Sequence, residues 1–193
     1  MCWAYRFADG GIAAAQESIA APHVGRITRA GQEASLLTRR GGLPTWMASR
    51  YGMMFAKSGG GRQLIWNARD DKLEAVETWA RLIRQRFAVP VDAYVENAPG
   101  ETWYVGPTSW MLGLYDVERD GGSVVITEQG PRDDRRPVLV SRDSAMAWLL
   151  AEQWEALPVL ARSQRTRFME ADLFEGKRLA TDARTTVPLP KAA

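Results

Sequence analysis

From Phe87 to Val140 the chain is a succession of short apolar or alternating runs broken by turn-forming residues, and this texture restricts the fold more than any other feature. Runs at 87–95, 102–106, 110–116, 123–128 and 137–140 read as strands, separated by turns at Ala98-Pro99-Gly100 and Asp120-Gly121-Gly122. The first third has the same character. Val24-Gly25-Arg26-Ile27-Thr28 and Ala34-Ser35-Leu36-Leu37-Thr38 predict a hairpin around Ala30-Gly31-Gln32-Glu33. Gly41-Gly42-Leu43-Pro44 breaks the pattern, a loop runs through Gly59-Gly60-Gly61, and Gln63-Leu64-Ile65-Trp66 reads as a buried strand.

Helices are few. One is expected to open at Asp70 or Asp71, where Asp71 and Glu74 make an acidic variant of the capping box. Leu73, Val76, Ala80 and Ile83 then recur at helical spacing and predict a core-facing stripe. Arg81, Arg84 and Arg86 fall where cations suit the helix dipole. Two more helices are expected near 143–156 and 162–172, the first capped by Ser141 or Asp143. The whole predicts an α+β fold whose core is a mainly antiparallel, barrel-like sheet with a few flanking helices. A single domain over 1–178 and a flexible tail over 179–193 complete the expected organisation.

Composition excludes several functions. Of 25 cationic residues only four are Lys (57, 72, 177 and 191), yet 23 acidic residues leave a net charge of +2. Bulk charge alone therefore does not make this a nucleic-acid binder, although Arg forks suit local phosphate contacts; a high-GC genome yields the same Arg bias. One Cys and one His allow neither an intrachain disulfide nor a Cys/His zinc site, and no metal or cofactor is expected. No apolar run approaches the ~20 residues of a membrane helix, and the N-terminus lacks the pattern of a signal peptide. A cytoplasmic, nucleoid-associated monomer is expected.

The only thiol, Cys2, directly follows the initiator Met. Once Met1 is removed, its α-amine (pKa about 7.7–8.0) and thiol (about 8.5) sit on adjacent carbons. That pair condenses with an aldehyde, first as an imine and then as a thiazolidine. Three further stretches stand beside it: Asn67-Ala68-Arg69, the strand from Arg86 to Glu96 that ends in a carboxylate, and Arg135-Arg136-Pro137-Val138-Leu139-Val140. Read singly, each residue has a plainer use. Asn67 suits a strand-to-helix turn, Glu96 a solvated strand end, and Arg69 a surface pair with Asp70 or Glu74. Trp66 suits the core, whereas Trp46, in a Pro-flanked segment, suits base stacking.

Taken in order, Met1-Cys2, Ala21-Pro22, Gly42-Leu43-Pro44-Thr45-Trp46, Asn67-Ala68-Arg69, Arg86 to Glu96 and Asp133-Asp134-Arg135-Arg136-Pro137 resemble the SOS-response-associated peptidase (SRAP) family. Its members shield abasic sites in single-stranded DNA. The resemblance spans residues 1 to about 150 and implies that Cys2 crosslinks to the abasic-site aldehyde as a thiazolidine. It further implies that Asn67 bonds the nucleophile or sugar, that Glu96 moves protons, and that Arg69 holds a flanking phosphate. Trp3, Trp46, Arg40 and Arg135 are the accompanying DNA-binding candidates. Asp133 stands where the family has its catalytic His, Trp3 where it has Gly, and Asn97 where it has Trp. These departures bear on crosslink reversal and self-processing. Two other readings remain: a non-catalytic single-strand binder on the same fold, and a thiol hydrolase of the N-terminal-nucleophile type.

Overall fold

The computed structural model describes residues 2–10, 24–96, 102–118, 122–130 and 135–163, together with the backbone of 169–171. The hairpin of β3 (Glu33–Arg40) and β4 (Leu43–Tyr51) is joined by Gly41 and Gly42 alone, at φ 55° and 84°. Two successive positive φ values make the primed turn that matches strand twist, and glycine reaches it without a Cβ clash. The expected break is thus the hairpin turn. The hairpin expected between 24–28 and 34–38 is corrected accordingly: β2 (Ile27–Arg29) pairs with β1 (Ala4–Phe7), with Ala4 opposite Arg29.

The longest pairing joins β8 (Arg86–Glu96) to β9 (Thr102–Tyr115), with a register shift between Val91 and Ala93. Residues 102–115 form one strand rather than two, since Gly106-Pro107 stretches the ladder without ending it. With β10 (Gly122–Gln129), the pairings β8–β9, β9–β10, β10–β4, β4–β3 and β3–β8 close a ring. The fold is α+β with a mainly antiparallel, barrel-like core, as the strand texture predicts. Parallel pairing joins β10 to β4 and to β7 (Asn67–Arg69). A separate hairpin holds β5 (Met53–Ala56) and β6 (Arg62–Ile65), while β11 (Arg135–Pro137) and β12 (Leu139–Val140) extend the main sheet.

Side chains sort by strand alternation. Leu36, Phe87, Val89, Val91, Met111 and Val125 lie on one face with Cys2, Tyr5, Tyr51, Tyr94 and Tyr104. Their neighbours Leu37, Ala88, Leu112, Val124 and Ile126 lie on the other, under Trp79, Leu82, Trp148 and Leu149 of the helices. Since the helices cover the second face, the first is the interior of the ring.

The helices are shorter than periodicity predicts. Asp70–Lys72 is a single 3-10 turn, and α1 spans only Glu77–Leu82, with Val76 as its N-cap and no side-chain cap. The acidic capping box does not form because Arg69 holds the Asp71 carboxylate at 2.7 Å and Arg135 pairs with Asp70. Leu73 and Ile83 are buried as expected, but Val76 is exposed and Trp79 takes its place in the core. In α2 (Arg142–Leu150), Ser141 is the cap, its Oγ accepting from the Ser144 amide at 3.3 Å. The chain then continues as a 3-10 stretch, Gln153–Arg162, and Met169–Ala171 is a strand (β13) on β9 where a helix is expected. The segment 179–193 lies outside the described residues.

Candidate functional site around Cys2

The N-terminal strand is strapped to the end of β8. The Trp3 amide donates to Val95 O at 3.0 Å, the Ala30 amide donates to Trp3 O at 3.0 Å, and the Tyr51 hydroxyl donates to Cys2 O at 2.8 Å. Cys2 is fully buried, its Sγ donating to Ala4 O at 3.5 Å. Burial, opposed in part by hydrogen bonding with Tyr51, pushes the thiol up to about 12, and the carboxylate of Glu96 adds in the same direction. A thiol in this setting is protonated at neutral pH and is a poor nucleophile.

Glu96 is the last residue of β8 and lies two residues beyond Tyr94, so both side chains leave the same face of the strand. Its carboxylate is 13% exposed and stands 3.6 Å from the Arg136 Nε. The Arg136 guanidinium lies 4.9 Å over the ring of Tyr104, which stacks on Tyr94 with centroids 5.1 Å apart and planes at 15°. Burial and then Glu96 hold the Tyr94 hydroxyl well above the ordinary tyrosine range. Cys2, Glu96, three tyrosines and Arg136 thus form one shielded polar cluster at an end of the ring.

Asn67 joins this face through strand register. It sits opposite Val125, whose side chain packs in the Cys2 cluster, and the two residues project the same way from paired strands. Both Asn67 amide atoms are buried and have no hydrogen-bond partner among the described residues. The indole nitrogen of Trp66 is in the same condition, with its ring against the same cluster. A buried polar group without a partner is costly, which sets Asn67 apart from the apolar side chains around it.

The DNA-binding candidates separate. Trp46 is 3% exposed and lies on the helix-covered face, 5.7 Å from Phe7, so it is a core residue and offers no stacking surface. The guanidinium of Arg135 is spent internally on Asp70, Thr127, Gln129 and Asp71, and is 12% exposed. It clamps the 3-10 turn to β10; its neighbour Arg136 is the one that reaches Glu96. Strand alternation sends adjacent residues to opposite faces, and that signal distinguishes the two. Arg40 is exposed at the Gly41-Gly42 turn, at the opposite end of β3 from the Glu33–Arg50 pair that adjoins Tyr51. Arg69 is exposed with its fork on Asp71. Trp3 is half-buried with Arg29 5.7 Å from its ring centre. Asp133 lies outside the described residues. Tyr94 and Arg136 lie within the motif stretches but carry no role there, and Tyr51 and Tyr104 lie outside them; the tyrosines look like ordinary core residues until the ring closes.

Among the described residues no three metal-ligating side chains converge, and no helix is long and apolar enough to cross a membrane. No protein-family model matches the chain, and no curated protein matches it. The fold itself is shared. The crystal structure of a phage-related protein from Bordetella bronchiseptica superimposes with a TM-score of 0.66 at 18% identity, over 88% of this chain and 92% of that one. A second crystal structure from Bordetella bronchiseptica gives 0.68 at 17% identity, over 89% of this chain and all of that one.

Proposed function

We propose that this chain binds single-stranded DNA at abasic sites and crosslinks to them through Cys2, shielding the lesion. The observation that carries the reading is the convergence of the sole thiol, the Glu96 carboxylate and the unpartnered Asn67 amide on one interior face. With Met1 removed, the Cys2 α-amine attacks the aldehyde carbon of the open-chain sugar. The Glu96 carboxylate takes the proton of the Cys2 thiol and passes it to the carbinolamine hydroxyl, which leaves as water and yields the iminium. The thiolate so formed adds to the iminium carbon, and the thiazolidine closes with one water released and no net proton change. Asn67 bonds the sugar or the tetrahedral intermediate, satisfying an amide that is otherwise orphaned. Arg136 holds Glu96 in place. Arg69 releases Asp71 to take a phosphate beside the lesion.

While Met1 is attached, the Cys2 nitrogen is a peptide amide that cannot form the imine, so N-terminal processing is the switch for the reaction. The test mixes processed protein with single-stranded DNA carrying one abasic site, followed by a denaturing gel. Cys2→Ala and a tetrahydrofuran analogue without an aldehyde serve as controls. A heat-stable band that requires both Cys2 and the aldehyde is the expected result. Absence of that band, with DNA affinity intact in Cys2→Ala, would leave a non-catalytic single-strand binder.

A further inference from the structure

A cavity of about 300 Å³ opens at the other end of β8, lined by Arg39, Arg84, Arg86, Tyr115, Glu152 and Gln153 among others. From Arg86 in this cleft to Glu96 the strand runs about 30 Å along its contour, so the two sites are separate. Three guanidinium groups meet one carboxylate here, and that carboxylate is 79% exposed.

The three arginines are not equivalent. Arg86 is structural: it is buried and donates to the carbonyls of Ile83 at 2.5 Å, Trp148 at 2.7 Å and Ala151, closing the C-terminal ends of both helices. Burial and then the charge of nearby Arg39 lower its pKa, and Glu152, paired with Arg39 at 3.3 Å, opposes this in part. Among the described residues, Arg39 spends only Nη1, on Leu150 O at 3.0 Å and Glu152 at 3.3 Å, which leaves Nε and Nη2. Among the same residues, Arg84 spends Nε and Nη2 on the Gln153 side-chain oxygen at 3.1 and 3.0 Å, which leaves Nη1. Tyr115 lines the same cavity and lies close enough to Arg86 to act on its charge.

We propose that this cleft is a binding site for a phosphate group, with Arg39, Arg84 and the Tyr115 hydroxyl as donors and Arg86 as the fixed charge behind them. A phosphate offers the acceptors that match two spare guanidinium edges and a phenol, and its negative charge relieves the repulsion between Arg39 and Arg86. The site stands whether or not Cys2 reacts with DNA.

The test is calorimetric titration of the full chain at low salt with inorganic phosphate, with a short oligothymidylate lacking terminal phosphates, and with the same oligomer 5′-phosphorylated. Arg39→Gln/Arg84→Gln is expected to weaken binding by roughly tenfold or more, with its thermal midpoint close to that of the parent. Tyr115→Phe, which removes only the hydroxyl, is expected to weaken it in the same sense and serves if the double variant unfolds. Loss for inorganic phosphate and the phosphorylated oligomer alone assigns the site to phosphomonoesters; loss for both oligomers assigns it to the phosphodiester backbone. Binding of no probe by the parent chain, or unchanged affinities in both variants, overturns the proposal.

Discussion

Cys2 and Asn67 carry opposite kinds of information. The thiol is legible in the sequence as unique and N-terminal, but its burial is a property of the ring that closes around it. With Met1 attached, folded protein is expected to react with iodoacetamide at pH 8 slower than a free cysteine by roughly two orders of magnitude or more. Labelling followed by intact mass checks this, and a rate like that of the urea-unfolded chain would contradict it. Asn67 is legible as a turn-prone residue and, through the resemblance, as a site candidate; its two orphaned amide atoms emerge only from the pairing of β7 with β10. Replacing an unsatisfied amide by an apolar group of similar shape removes a desolvation cost. Asn67→Leu is therefore expected to leave the thermal midpoint unchanged or higher while it slows crosslinking by about tenfold or more. A lowered midpoint with normal crosslinking would show that the amide is structural. At Asp133 the comparison is kinetic. On the proposed function, the Asp133 carboxylate, which stands where the resembled SRAP pattern has His, lacks a donor at neutral pH, so crosslink release is expected to be faster in Asp133→His, measured by transfer of the tag from labelled DNA; equal rates would count against that role.

Elements were easier to see than their partners. Alternating apolar residues announce β3, β8, β9 and β10, because strand periodicity is local. Which strand pairs with which is not local, and the expected hairpin at 24–38 failed for that reason: β2 found β1, nearly the whole N-terminal segment away. The helix at 70–83 shortened because the two aspartates that signal a cap are engaged by arginines, one of them Arg135 from β11. Gly113 shows the same dependence on a partner strand. It lies opposite Phe87, and a Cβ there would stand 2.1 Å from the Phe87 ring and 2.4 Å from Val124 O. Neither a ring inside the barrel nor a ladder carbonyl can move aside cheaply. Gly113→Ala is expected to destabilise the fold by about 1–3 kcal/mol, read as a lowered urea midpoint; restoration in Gly113→Ala/Phe87→Leu would tie the cost to that contact.

At the scale of the molecule, the ring interior gathers Cys2, Tyr5, Tyr51 and Tyr94, each held by burial above its ordinary pKa. These groups keep their protons in the folded state at a pH where the unfolded chain has lost them. The unfolded state then binds fewer protons, so stability is full below about pH 9 and falls as pH rises from there towards 12 and beyond. Urea midpoints at pH 7, 9 and 10.5 are expected to decline in that order, with a smaller decline in Cys2→Ala. A flat profile would mean that water reaches the interior.

What the amino-acid sequence determined by itself was the strand-rich α+β class, a helix cap at Ser141 or Asp143, and a lone N-terminal thiol with an amide and a carboxylate downstream. Each depends on chemistry or periodicity confined to a few neighbouring residues. Tertiary structure alone decided that Trp46 is core, that Arg135 is a clamp while Arg136 faces Glu96, and that Arg39, Arg84 and Arg86 share a cleft. Those outcomes depend on strand partners and ring closure, which bring together residues that no local pattern relates.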